Sequence, residues 1–202
     1  MASASCHSLS RLIVLSGLLT GCAAPASRPT YSTLLEDQQE AADRARACNE
    51  HGLALIEQNR FSDAENAFRQ ALAFDPTYAA AHNNLGILLL DHRQRSYEAA
   101  VELTIAARLA PTALQPHVNL GRLYEAVGWD EAAFDAYEKA LALEDGDPQT
   151  LGRLAVLSLR RGKGTAQIER WLQTLAAQGD AEEWQQWAQV QLSQRSAQEA
   201  GP

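Results

Sequence analysis

Aromatic residues make up only 6% of this chain of 202 residues. Sheets rely on aromatic and β-branched side chains to cover their pleated faces, so the composition points away from strands. The apolar positions are filled mainly by Ala and Leu, which favour close-packed helices. Positive charge is also scarce: 17 Lys and Arg stand against 25 Asp and Glu, a formal net charge of -8. Phosphate binding needs a surplus of Lys and Arg on one face, and no basic run is present, so no nucleic-acid partner is expected. The cysteines are few and scattered. Cys6, Cys22 and Cys48 show neither zinc-ligand nor CxxC spacing, and no disulfide framework follows from them. No apolar run approaches the roughly 20 residues that a membrane-spanning helix needs. A nucleophile elbow, a phosphate loop, an HExxH motif and a carboxylate pair with a reason to be activated are all missing. What is present is 46% apolar residues, the share of a globular chain with one core of ordinary size.

The amino-terminal residues read as an address. After Arg11 comes Leu12 to Leu19 (LIVLSGLL), about eight mostly apolar residues, the length of a signal-peptide core. Leu19-Thr20-Gly21-Cys22 follows at once. It resembles the bacterial lipobox, a Leu and two small residues before an invariant Cys. The resemblance implies a diacylglyceryl group on the Cys22 thiol, cleavage before Cys22, and acylation of the new amino terminus. Such an anchor holds more firmly than a single acyl chain. An ordinary secretory signal cut near Ala24 is the alternative. Ala23 rather than Asp after the cysteine implies an outer-membrane destination facing the periplasm. With Cys6 removed and Cys22 blocked, Cys48 is expected as the one free thiol. Residues 1–21 are thus read as a lipoprotein signal peptide and 22–32 as a flexible tether. Pro25, Pro29 and small residues make that tether extended, with a reach of about 30 Å.

Self-similarity organises the rest. Three segments share one pattern: RACNEHGLALIEQNRFSDAENAFRQALAFDP from Arg46, AHNNLGILLLDHRQRSYEAAVELTIAARLAP from Ala81, and PHVNLGRLYEAVGWDEAAFDAYEKALALED from Pro116. Gly52, Gly86 and Gly121 recur at intervals of 34 and 35 residues. Each is followed by a second helical stretch with fixed positions: Ala64, Phe68, Ala71 and Pro76; Ala99, Leu103, Ala106 and Pro111; Ala133, Tyr137 and Ala140, with Asp145 in place of the proline. This pattern resembles the tetratricopeptide repeat (TPR). The resemblance implies an all-α fold, a TPR-type α-solenoid of antiparallel helix pairs. A helical glycine costs about 1 kcal/mol relative to Ala, so three at one period imply a steric reason. Gly is expected where the two helices of a repeat cross, with Phe68 or Tyr137 filling the gap to the next repeat.

The repeats are placed at about 45–78, 79–113 and 114–147, with a degenerate fourth at 148–180 that has lost most of its small residues. The array as a whole covers 33–180, and the helical stretch Leu34 to Ala47 lengthens the first helix. A helix at 181–195, with Trp184, Trp187, Val190 and Gln191 along one stripe, reads as a cap, and 196–202 as a disordered tail. One extra residue falls in the second inter-helix turn, between Asp91 and Ser96.

In TPR folds the first helices of successive repeats line a groove. The resemblance places there Asn49, Glu50 and Leu53; Asn83, Asn84 and Ile87; Asn119 and Arg122; Arg153 and Val156. Asn84 and Asn119 resemble the start of the asparagine ladder of O-linked N-acetylglucosamine transferases, whose amides grip an extended peptide backbone. Local bonding of those amides is the alternative. Chaperone-binding TPR domains hold a terminal carboxylate with Lys and Arg, and only Asn84 or Asn119 and Arg153 echo that clamp, so carboxylate capture is not expected. His82 and His117 occupy one place in neighbouring repeats and are read in packing or solvent roles rather than as metal ligands. No cofactor, metal site or catalytic residue is expected. The reading is a non-enzymatic, membrane-anchored scaffold of the bacterial envelope that binds a protein or extended peptide segment. Its layout is similar to that of TPR lipoproteins of type IV or tight-adherence pilus and secretin assembly. The alternative is a regulatory TPR subunit that recruits a cell-wall or glycan-modifying enzyme, or a groove that binds a glycan or metabolite.

Overall fold

The computed structural model describes residues 31–92, 94–162, 165–178 and 182–199. The expected signal peptide, Cys22 and the tether as far as residue 30 lie outside the described residues. Those described contain nine helices and no strand: α1 (Tyr31–Glu57), α2 (Phe61–Phe74), α3 (Ala79–Asp91), α4 (Ser96–Leu109), α5 (Leu114–Ala126), α6 (Asp130–Leu143), α7 (Pro148–Arg161), α8 (Thr165–Ala177) and α9 (Glu182–Glu199). None of them is long and apolar enough to cross a membrane. The chain divides within α3 into two compact units, one ending at Asn84 and one beginning at Leu85.

In the first unit α1 pairs with α2. From Tyr31 to His51 there is neither proline nor glycine, so nothing interrupts helix propagation. Tyr31 and Ser32, assigned to the tether by sequence, are consequently helical. Ala45, Cys48, Ala71 and Ala81 form a buried cluster with Leu72 and Tyr78 against it. Cys48 is disulfide-bonded, with its partner outside the described residues. The expected free thiol is therefore not found, because spacing along the chain does not limit which sulfurs a fold brings together.

Gly52 explains the crossing of α1 and α2. A Cβ there would lie 2.5 Å from the Phe68 ring, which is fully buried. The ring therefore sits on the glycine of its own repeat. That corrects the expected placement towards the next repeat: the missing side chain leaves a hollow that the ring fills.

The second unit repeats this solution. A Cβ at Gly86 would meet Leu103 at 2.6 Å and one at Gly121 would meet Tyr137 at 2.4 Å. Ala99, Ala106, Ala133 and Ala140, like Ala64 and Ala71 before them, are completely buried, where short side chains let neighbouring backbones approach. Each helix from α4 to α9 packs on the next. The fourth pair keeps more of the signature than its sequence suggests. Ala155, one period after Gly121, is fully buried, as are Leu154 and Leu157. Ile168, Trp171, Leu172 and Leu175 of α8 face the same core.

Helix α9 also packs on α7, at Gly152, where a Cβ would lie 2.3 Å from the Trp184 ring. Trp184 and Trp187 meet edge to face, with centroids 5.6 Å apart, and Ala188 and Leu192 join the covered stripe. Val190 is 50% exposed, a correction to its expected place on that stripe. At 3.6 residues per turn Ala188 and Leu192 lie within about 80° of Trp184 around the helix, whereas residue 190 lies about 120° away. The helix continues to Glu199, so residues 196–199 of the expected disordered tail are ordered. Their start is tied down by the Ser196 hydroxyl, which donates to the Leu192 carbonyl at 3.0 Å.

The turns inside the pairs share one backbone device. Asn59, Gln94, Gly128 and Gly162 each have positive φ, at 59°, 53°, 77° and 65°. In the first three turns the next residue's N–H reaches back, from Arg60 to the Leu55 carbonyl, from Arg95 to Leu89 and from Trp129 to Tyr124, at 2.9, 3.0 and 2.8 Å. The extra residue of the second turn is absorbed inside that loop. Gly and Asn adopt the left-handed conformation at low cost; Gln94 does not. Helix α7 starts differently, with Pro148 in its first turn and the Asp147 carboxylate accepting the Thr150 N–H at 2.7 Å, a side-chain cap.

Candidate functional site

The candidate groove residues of the first unit bond to one another. The Asn84 amide donates to Asn49 Oδ1 at 2.9 Å, and Asn83 donates to Asn84 Oδ1 at 3.4 Å. Asn49 is 5% exposed, so its carbonyl oxygen depends on that partner. Glu50 and Leu53 lie exposed beside it. Asn84 and Asn119 fall in different units, and each is bonded within its own.

In the second unit the end of α3, with α5 and α7, surrounds a cavity of about 460 Å³ lined by Asp91, Arg122, Glu125, Arg153 and Arg160, with Leu90 and Ala126 as apolar neighbours. Arg122 Nη2 donates to both Asp91 oxygens at 3.1 and 2.9 Å, and its Nη1 donates to Asn119 Oδ1 at 3.3 Å. Asn119 itself is buried behind the arginine. The Tyr137 hydroxyl donates to Glu125 Oε2 at 2.7 Å. Arg153 Nη1 donates to that same oxygen at 3.3 Å. Arg160 lies 3.6 Å from the other oxygen and donates to Asp130 at 3.2 Å. The Tyr137 phenol is pushed far above its ordinary range, first by burial, then by its bond to Glu125 and the charge on that carboxylate. It stays a donor at any working pH.

Of the groove residues expected from sequence, Arg122 and Arg153 line this one cavity. Ile87 is half-buried and does not line it, and Asn119 lies behind it. Sequence reasoning missed Asp91, Glu125 and Arg160. Two of the three carry a usable signal: Arg160 is seven residues from Arg153 and Glu125 three from Arg122, so each pair shares a helix face. The pairing of Arg122 with Asp91 crosses from one repeat to the next and leaves no local trace.

His82 and His117 are each clasped to the preceding turn. Their Nε2 atoms lie 3.0 Å from the Pro76 carbonyl and 3.2 Å from the Pro111 carbonyl. The shared position thus ties a helix start to the loop before it. Among the described residues, no three His, Cys, Asp or Glu side chains converge as metal ligands would.

These helix pairs, with a glycine at each of the first three crossings, define an all-α TPR-type solenoid, and the family comparison agrees. Residues 52–92 match the family described as TPR repeat, and residues 114–147 the one described as tetratricopeptide repeat. Repeats of this kind serve as protein-binding scaffolds. No curated protein matches the chain. Among solved structures it is similar to the first TPR of Spaghetti (RPAP3) bound to the HSP90 peptide SRMEEVD, with 18% identity, a TM-score of 0.58, and 60% of this chain and 96% of that one covered. The Arabidopsis OM64 TPR domain is similar at 18% identity and a TM-score of 0.56, covering 61% and 98%. The MamA protein is similar at 18% identity and 0.58, covering 71% and 76%. At these identities the likeness establishes the fold.

Proposed function

We propose that the chain is a non-catalytic adaptor of the bacterial envelope, anchored by lipid at Cys22, that holds a segment of a partner protein on the first helices of its repeats. The observation that carries this reading is the polar cavity between α3, α5 and α7. It lies on successive first helices, in a fold for which a neighbour's structure holds a peptide. Lipobox, short tether and repeats together have the layout of TPR lipoproteins that serve pilus and secretin assembly, so the partner is a component of an envelope assembly at the outer membrane.

The test is site-specific photo-crosslinking in living bacteria, from position 156 on α7 and from Tyr97 on α4, which is 83% exposed. Capture of one envelope protein from position 156 and not from 97 is expected, together with loss of membrane association in Cys22→Ser. Capture from 97 alone overturns the binding face. Membrane retention of Cys22→Ser overturns the anchor.

A further inference from the structure

We infer that the turn between α5 and α6 is a sugar-binding platform, on which the indole of Trp129 takes the apolar face of an uncharged pyranose ring in a glycan chain. Sugar binding at this turn does not depend on the protein segment proposed for the first helices. Of the four tryptophans in the chain, Trp171, Trp184 and Trp187 pack against the core, whereas Trp129 is 62% exposed. The fold does not call for it. In the first two turns an arginine holds the same place and closes on the acid three residues further on, Arg60 on Asp63 and Arg95 on Glu98. Trp129 has Ala132 at that spacing, so nothing of the clasp remains. The Trp129 N–H nevertheless reaches back to the Tyr124 carbonyl at 2.8 Å. The turn is kept and only its side chain is replaced.

The replacement is built as a flat surface. The Tyr124 ring stacks against the indole, with centroids 6.0 Å apart and planes 23° from parallel. At Gly128 nothing lies within 4 Å of where a Cβ would stand, which leaves room for a ring to approach over the turn. The face of an aromatic ring is negative, and it attracts the C–H groups along one face of a pyranose, which carry partial positive charge. The hydroxyl edge of the sugar then needs donors and acceptors. Asp130 and Glu131 follow directly in the chain, paired with Arg160 at 3.2 Å and Arg161 at 2.5 Å, and each carboxylate and guanidinium keeps hydrogen-bonding positions beyond its pair. Because these charges are closed on one another, a charged ligand finds no unmet counter-charge there, while a neutral, hydroxyl-bearing one finds both kinds of partner. A lipid surface fits less well. Glu131, whose side chain is 76% exposed, would have to enter the interface with the indole, and the chain brings a net charge of -8 towards anionic headgroups.

Nuclear magnetic resonance on the isotope-labelled full-length chain, in a sugar-free detergent, tests this with cellotetraose and chitotetraose. Each tryptophan gives one indole N–H signal. The variant Trp129→Arg/Ala132→Glu identifies that of Trp129 by its loss and restores the clasp of the first two turns, which protects the fold. At least one of the two sugars is expected to move the Trp129 signal and to leave those of Trp171, Trp184 and Trp187 in place. Affinity, followed by saturation transfer to the sugar, should fall about tenfold in the double variant, the order of effect that losing one stacked ring has, with helicity unchanged. No shift with either sugar, a shift confined to the other three signals, or equal affinity in the double variant overturns the assignment. A Trp129 signal that responds to vesicles of phosphatidylethanolamine and phosphatidylglycerol, or to a proline-rich peptide, but to neither sugar overturns it in favour of that partner. Capture of a protein from position 156 is unaffected by any of these outcomes, so the two readings fail separately.

Discussion

In the first repeat the Phe68 ring lies on Gly52, and in the third the Tyr137 ring lies on Gly121. Both rings are fully buried and fill the same hollow. They differ by one oxygen atom, and the surroundings differ accordingly. Near Gly52 the polar groups are neutral amides, Asn49 and Asn84, closed on each other. Near Gly121 the phenol reaches out of the core to Glu125, and through it the core touches two arginines and a cavity. The packing signature is thus common property of the repeats, while in the third repeat a hydroxyl at the ring's edge links the interior to charged groups without leaving it.

The comparison is broken most severely at the glycines. Gly52→Leu and Gly121→Leu should each lower stability by about 1–3 kcal/mol, since the new side chain must displace a buried ring. Urea unfolding measures this, and an unchanged midpoint in either variant means the two crossings are not equivalent. Tyr137→Phe converts the third repeat into the first and should cost about 1.5 kcal/mol, the worth of a hydrogen bond to a charged acceptor. It also changes the alkaline limb. Because the folded phenol is raised above its ordinary value of 10.0, its contribution is complete below that pH and is lost as pH rises beyond it, when the unfolded chain ionises first. Wild type should therefore lose stability more steeply above pH ~10 than Tyr137→Phe; parallel curves would remove Tyr137 as the cause. The smallest effects lie in the turns. Gly128→Ala should cost about 1 kcal/mol, because φ is positive there, whereas Asn59→Gly should gain at most about 0.5 kcal/mol, since Asn already tolerates that conformation. Thermal unfolding of the two variants compares the turns directly.

Most of the fold was legible in the sequence because packing is periodic. Gly52, Gly86 and Gly121, and the alanines that follow them, announce the crossings at fixed intervals. The fourth pair was harder to read: Ala155 stands one period after Gly121 in place of a glycine, and Gly152, which serves α9, lies three residues earlier. The site was half legible. Arg122 and Arg153 follow from the repeat register, but Asp91 and Glu125 are acids among many on an acidic chain. Their significance depends on which arginine faces them, and that is settled by contacts between repeats. The amides show the same limit: a register places Asn84 and Asn119 on one kind of face but does not reveal that Asn49 and Arg122 bond to them.

Gly152 has a bearing on how such a chain can change its length. Trp184 rests where even a methyl group on α7 would intrude, and Trp187 braces it from the side. A repeat duplicated between α8 and α9 would have to carry its own copy of that glycine, or the two tryptophans would lose their seat. Duplication of an earlier pair, between α3 and α6, would leave the seat untouched. The array is therefore easier to extend from its middle than at the covered face of α7, and relatives of different length should vary there first.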